Sequence, residues 1–353
     1  MKTAAAATVV AVLAALVGVS NLLKARDDRV LIDAIAQRPP IPSYGSVTTI
    51  SHSAATMGKI TAVMPDLAPE DFVPSFDMYY EAQLTDCDST KNFAMIGGTN
   101  GASHLYHDII AHFRKQGYCT LNFDHRSHGR SEDPPGELTA ELLGEDAAAI
   151  IRHVFGEKKV HLLGWSLGGA VSYYLGIQHP DIVKSITLSG MTSCFGKVTA
   201  DGSCDLGADP LKWFFSRDLM LRLLGTELQA AAAVAAIKMH DEERAPMSMR
   251  FWRSLSTSTM TKTPNTWGRW RKEHYHEEIR KITAPCLLIA GADEHVIGID
   301  AASMGEDVKR LQNAEPPLIL QGLSHFLWFE EHDGKRGHDQ ATAAIDKFHQ
   351  KHA

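Results

Sequence analysis

A serine with glycines two residues away on both sides marks the centre of this chain: Gly164-Trp165-Ser166-Leu167-Gly168-Gly169. An apolar run, Val160-His161-Leu162-Leu163, precedes it, and a helix-like segment, Ala170 to Gln178, follows. Gly-x-Ser-x-Gly between a strand and a helix is a nucleophile elbow. The turn strains the serine backbone and leaves no room for a Cβ two residues to either side. It holds the hydroxyl above the sheet with a helix N-terminus beneath. The chemistry of such a serine is acyl transfer. A hydroxyl is a poor nucleophile at neutral pH and needs a base within hydrogen-bond reach. Histidine serves because its pKa lies near working pH, and a carboxylate behind it fixes its tautomer. Two backbone N–H donors must also face the developing oxyanion, each worth about 3 kcal/mol in the transition state.

Those groups need a rigid frame. Phe76 to Leu84 alternates and predicts a strand. Phe93 to Ile96 predicts a short buried strand that runs into Gly97-Gly98-Thr99-Asn100-Gly101. Ala102 to Gln116 has helical spacing, Tyr118 to Phe123 predicts a strand, and Leu138 to Phe155 a helix. Val160 to Leu163 leads into the elbow, and Ile182 to Leu188 predicts the next strand. Strands alternating with helices imply a parallel sheet with right-handed crossovers. The alternation stops at Gly190 and resumes after Pro285, with strands at Cys286 to Ala290 and Pro317 to Gln321 and helices at Asp300 to Leu311 and Gln340 to Gln350. The intervening stretch predicts helices at Pro210 to Leu224, Glu227 to Met239 and Met247 to Ser254. It reads as a cap over the carboxyl edge of the sheet, where α/β folds bind ligands. Its Trp252, Trp267 and Trp270 line an acyl pocket or form the cap's own core.

The expected organisation is a hydrophobic segment over 1–23, a linker or extension over 24–74, a first core part over 75–190, a cap over 191–283 and a second core part over 284–353. Prolines at 39, 40, 42, 65, 69 and 74 favour the linker reading. Thr3 to Leu23 is free of charge and apolar, which suits either a secretory signal peptide or a membrane anchor. Lys24, Arg26 and Arg29 follow it and would keep a retained anchor's catalytic part cytosolic. The expected location is therefore the secretory pathway or a membrane surface. The net charge of −7 provides no basic field for nucleic acid. Of five cysteines, Cys119 and Cys286 fall in predicted buried strands and read as core, and Cys87 lies in a polar turn. Cys194 and Cys204 would suit a disulfide in an oxidising compartment. No Cys-x-x-Cys pair suggests zinc. His104, His107 and His112 share a helix, and a solvated face explains them better than a metal.

The chain resembles the α/β-hydrolase fold superfamily, in particular its serine esterase and lipase-like members with a cap. The resemblance runs from Phe76 to the C-terminus. It is carried by Gly97-Gly98-Thr99, by Asp124-His125-Arg126-Ser127-His128-Gly129-Arg130-Ser131, by the elbow, by Gly291-Ala292-Asp293 and by Gly322-Leu323-Ser324-His325-Phe326. Gly97 stands where the family usually has histidine, and Ser127 where it often has glycine. The resemblance implies a mostly parallel central sheet flanked by helices, with a largely helical cap inserted after the sixth strand. It also implies the chain order Ser, acid, His. Among 18 histidines, His325 then takes the role of base, with His295 its main rival. Asp293 takes the role of acid, since Ser189 to Ser193 holds no carboxylate and Glu294 should point the other way. The N–H groups of Leu167 and Thr99 form the oxyanion hole, and Trp165 and Gly98 contact the substrate. Asp124 and Arg126 brace the neighbouring loop. The expected activity is hydrolysis of a carboxylic ester, with a hydrophobic or lipid-like acyl part and no metal or organic cofactor. Thioester or carbon–carbon cleavage shares the same constellation. A ligand sensor that keeps the triad without turnover is the alternative of a different class.

Overall fold

The computed structural model describes residues 41–63, 73–99, 101–135, 138–194, 197–199, 204–205, 275–294 and 299–352. Eight strands form the central sheet: β1 (Gly45–Ser51), β2 (Ser75–Gln83), β3 (Asp88–Ile96), β4 (Tyr118–Phe123), β5 (Val160–Trp165), β6 (Val183–Ser189), β7 (Cys286–Gly291) and β8 (Leu318–Leu320). Their spatial order is β1-β2-β4-β3-β5-β6-β7-β8. β1 and β2 are antiparallel to their neighbours, and the pairs from β4 to β8 are parallel.

Parallel strands need covering on both faces. β4, β5 and β7 are buried at every residue. Successive side chains enter opposite layers, as the period of two requires. Leu162 joins the core on one side of the sheet with Ile96, Leu121 and Leu188. Leu163 joins the other with Phe93, Met95 and Ile289. The covering helices are α1 (Ala54–Val63), α2 (His107–Lys115), α3 (Ala140–Phe155), α4 (Leu167–Gln178), α5 (Ala301–Arg310) and α6 (Gly337–Lys351). Thr139 caps α3 by accepting the Leu142 N–H at 3.1 Å, and Asp300 and Ser303 form a capping box on α5.

The chain leaves β3 for β4 on one side, then crosses back to place β5 on the other. The strand order reverses there, and in open α/β sheets such a reversal at the carboxyl ends of the strands is where ligands bind. Ile96 pairs with Gly164 in that register, so the Gly97-Gly98-Thr99 loop and the elbow emerge side by side.

Two expectations change. Within the residues expected as linker or extension, Gly45–Ser51 form β1 and Ala54–Val63 form α1. β1 is an edge strand with mostly exposed side chains, so it lacks the apolar signal that betrays an inner strand. Cys119 is not a plain core residue but forms a disulfide with Cys87. Residue 87 immediately precedes β3, and Asp88 pairs with Tyr118, which brings the two cysteines together at a Cα separation of 5.1 Å. Cys194 is also disulfide-bonded, while the side chain of Cys204 lies outside the described residues. Cys286 is a free, buried core thiol, as expected. The segment 1–23 and the predicted cap helices, with Trp252, Trp267 and Trp270, also lie outside the described residues. Among the described residues, no helix is long and apolar enough to cross a membrane.

Candidate active site

Ser166 sits between β5 and α4 with φ +54° and ψ −119°. A non-glycine residue at positive φ costs about 1–3 kcal/mol and persists only when its surroundings enforce it. Here they do. The Ser166 N–H donates to the Ser189 carbonyl at 2.8 Å, and the Ser166 carbonyl accepts the Gly169 N–H at 2.8 Å. A Cβ on Gly164 would lie 2.2 Å from the Gly168 carbonyl oxygen, and one on Gly168 would lie 2.0 Å from that of Ile96. Both glycines are therefore obligatory for the turn. Leu167 is the first residue of α4, so its amide has no acceptor within the helix.

His325 lies in the loop after β8 and is buried. Its Nδ1 is hydrogen-bonded to Glu294 Oε2. An ionised carboxylate only accepts, so Nδ1 carries the proton and Nε2 keeps the lone pair. The partner is Glu294, not the expected Asp293. After β7 the chain turns at Ala292 and Asp293. Ala292 N–H donates to the Leu320 carbonyl and Asp293 N–H to the Leu323 carbonyl, at 2.8 and 2.9 Å. Those bonds lay the turn along the β8 loop. Asp293 is half-buried there, and Glu294, leaving the turn, is buried beneath the imidazole. The longer glutamate side chain supplies the reach. The two residues do point different ways, as the sequence suggests, but it is Glu294 and not Asp293 that meets the imidazole. His295 lies outside the described residues.

The histidine loop is tied to β5, the strand that leads into Ser166. Trp165 Nε1 donates to the His325 carbonyl at 3.0 Å, and the two rings are 5.6 Å apart. Trp165 is 1% exposed and packs among Tyr106, Phe326 and Phe329. It therefore stands behind the site as a brace and not at the substrate surface, where the sequence reading put it. Trp328 Nε1 adds a bond to Ser189 Oγ at 2.9 Å. Ser189 also holds Ser166 through its carbonyl, and a Cβ on the next residue, Gly190, would lie 3.1 Å from His325 Nδ1. One end of β6 thus touches both the elbow and His325. The sequence signals for these contacts, two tryptophans and a Ser-Gly after a strand, carry no chemistry of their own, and only folding reveals them.

Gly98 closes the other side, where a Cβ would lie 3.1 Å from Ser166 Cβ. Thr99 follows it, and its hydroxyl oxygen is buried without a protein partner. Behind this loop, Asp124 accepts the Ser103 N–H at 2.5 Å and the Arg130 N–H at 2.7 Å. Burial nevertheless pushes its carboxyl up to about 6. His125 Nε2 lies 3.3 Å from the Gly97 carbonyl, and burial pushes that imidazole down to about 3, so it donates as the neutral form. Arg126 holds Asp146 through two 2.6 Å bonds, which brace the loop from below. On α2, His107 meets Glu81 at 2.7 Å and His112 meets Asp346 at 3.0 Å. Among the described residues, no group of three potential ligands could hold a metal ion.

Sequence reasoning missed a second serine, histidine and carboxylate assembly. Ser193 Oγ donates to Asp307 Oδ1 and lies 2.7 Å from His276 Nδ1. Asp307 also accepts the Ser193 N–H at 2.7 Å and the Tyr173 hydroxyl at 2.6 Å. All four side chains are buried.

Residues 92–330 match the profile of the alpha/beta hydrolase fold. A proline iminopeptidase from Thermoplasma volcanium is 31% identical over 114 residues, which is 32% of this chain and 38% of that protein. A pimeloyl-[acyl-carrier protein] methyl ester esterase from Neisseria meningitidis is 32% identical over 114 residues, 32% of this chain and 33% of that protein. These alignments thus span little more than a third of the relatives' own length. An esterase structure from Exiguobacterium antarcticum superposes with a TM-score of 0.65 at 16% identity, covering 78% of this chain and 96% of that one.

Proposed function

Because the chain belongs to the alpha/beta hydrolase fold family, we propose that it is a serine hydrolase of carboxylic esters whose relay is Ser166, His325 and Glu294. The observation that carries this reading is the buried His325–Glu294 pair, joined through Trp165 to the strand that bears Ser166. His325 Nε2 takes the Ser166 proton as Oγ attacks the ester carbonyl. Glu294 stabilises the imidazolium that results. The N–H groups of Leu167 and Thr99 receive the oxyanion, and the N-terminal end of α4 adds its partial positive charge. His325 then protonates the leaving alkoxide and activates a water that releases the acid from Ser166. The partner in this reading is a small-molecule ester, with preference for a hydrophobic acyl part.

The methyl ester esterase and the esterase structure favour ester over amide substrates, whereas the iminopeptidase likeness favours an N-terminal peptide bond. A fluorophosphonate probe should label Ser166 in the wild type and not in Ser166→Ala. Turnover of p-nitrophenyl esters of graded chain length, with no release from prolyl arylamides, is the expected outcome. Labelling with arylamide turnover alone would replace the ester by a peptide, and stoichiometric binding without turnover would favour the ligand sensor. Absence of labelling in folded protein would refute the serine hydrolase.

The Cys87–Cys119 disulfide supports residence of the catalytic part in an oxidising compartment such as the secretory pathway. This reading opposes a retained anchor with a cytosolic domain. Thiol counting on protein drawn from its native cell is the test, and free thiols at both positions would overturn it.

A further inference from the structure

The loop after β3 is built around one phenol. Tyr106, in the short helical turn Ser103–Tyr106 before α2, is fully buried. Its hydroxyl accepts the Gly98 N–H at 3.0 Å. A Cβ on Gly97 would lie 2.9 Å from the ring carbon Cε2, and one on Gly101 would lie 2.0 Å from the hydroxyl oxygen. The loop also closes on itself, with Gly101 N–H donating to the Gly98 carbonyl at 2.9 Å. Glycines at 97 and 101 thus make room for the phenol, and Gly98 lies between the phenol and Ser166.

An amide has a single proton to donate. That of Gly98, although Gly98 is the loop residue packed on Ser166 Cβ, is already given to Tyr106. The next amide, that of Thr99, is the one left for an acyl oxygen. We propose that Tyr106 is the positioning residue of the oxyanion loop: by holding the Gly98 N–H it selects and orients the Thr99 N–H as the donor. The edge contact of Tyr106 on Trp165, with ring centroids 6.1 Å apart, extends the same support to the brace on His325. This inference rests on the serine-hydrolase reading of Ser166.

Tyr106→Phe keeps the ring and removes the hydroxyl. Loss of an entire oxyanion donor costs about 10²–10³ in kcat, so a misaimed one should lower kcat on p-nitrophenyl butyrate about 10–100-fold, with KM changed less than about threefold. Gly101→Ala drives a methyl into the same hydroxyl and should produce a similar loss in an otherwise wild-type chain. In the Tyr106→Phe background the same alanine should cost much less, because the oxygen it strikes is gone. A purely structural role would lower the melting temperature and leave this coupling absent. Wild-type kcat in Tyr106→Phe, or additive losses in the double variant, would overturn the proposal. If Tyr106→Phe fails to fold, an unaltered rate of fluorophosphonate labelling in Gly101→Ala would overturn it equally. A wild-type protein that is neither labelled nor active removes the hydrolase reading and this proposal together, whereas an active wild type with an indifferent Tyr106→Phe removes only the proposal.

Discussion

Among the described residues, two regions combine buried serine, histidine and carboxylate side chains, the proposed relay of Ser166, His325 and Glu294 and the cluster of Ser193, His276 and Asp307, and they differ in order. At the carboxyl edge of the sheet the histidine stands next to the carboxylate, with Nδ1 of His325 given to Glu294, which in the proposed relay leaves Nε2 to act as base. In the other cluster the serine stands in the middle, its proton given to Asp307 and its oxygen facing His276 Nδ1. A hydroxyl that donates to a carboxylate is not also donating to a histidine. The second arrangement therefore cross-links three pieces of chain, the segment after β6, the turn Tyr275–Glu278 and α5, instead of relaying a proton. The backbones differ too. Ser166 is held at φ +54° on a turn at a helix N-terminus, whereas Ser193 is absent from the residues of positive φ. Residue types alone do not make a relay. Their order in space and the backbone that presents the oxygen decide it.

The largest effect should come from the carboxylate. Glu294→Gln should lower kcat by about 10³–10⁴, the scale seen when a triad acid loses its charge, while Asp293→Asn should stay within about threefold of wild type. Equal losses in both variants, read by steady-state ester hydrolysis, would break the assignment of Glu294. Next is the brace. Trp165→Phe removes the N–H held by the His325 carbonyl, and a small displacement of a catalytic group costs up to about 10²-fold. We expect kcat to fall about 10–100-fold, with a shift in the pH profile of kcat, and the smaller buried ring to lower the melting temperature as well.

Ser193→Ala sharpens the contrast from the other side. It strips Asp307 of one donor and should destabilise the fold by about 1–3 kcal/mol, the cost of leaving a buried polar group unsatisfied. Ester turnover should stay within about twofold. Loss of turnover without loss of stability would show that the two clusters are not so different.

The smallest effect concerns histidines that have no carboxylate beside them. His161 and His349 stack at 4.0 Å, with His161 Nδ1 on Ser185 Oγ and His349 Nδ1 on the Tyr118 hydroxyl. Burial pushes the first down to about 3 and the second down to about 2, with further lowering from nearby cationic groups. In the unfolded chain both regain a pKa of about 6.5. Between those values the unfolded chain binds more protons, so stability is complete above about pH 6.5 and declines as pH falls toward 3. Thermal melting from pH 7 to pH 4 should show this decline, and His349→Gln should flatten it. An unchanged slope would remove His349 from the account.

Much of the frame was legible before folding. β4 begins and ends where its apolar run predicts, and the elbow glycines are needed for the reason their spacing suggests. β1 was not legible, because an exposed edge strand carries no apolar face and its register comes from β2. The Cys87–Cys119 bond was hidden for a related reason. It depends on two parallel strands being aligned, and residues 32 apart in sequence show nothing of that alignment.

The sequence by itself determined the glycine-flanked turn at Ser166 and the alternation of strands and helices, because local backbone geometry and apolar periodicity act over a few residues. Only the tertiary structure decided that Glu294 and not Asp293 meets His325, buried Trp165 as a brace against the His325 loop, and joined Ser193, His276 and Asp307 in one cluster. Those outcomes depend on how distant loops lie against one another, and a single turn can exchange which of two adjacent carboxylates is buried.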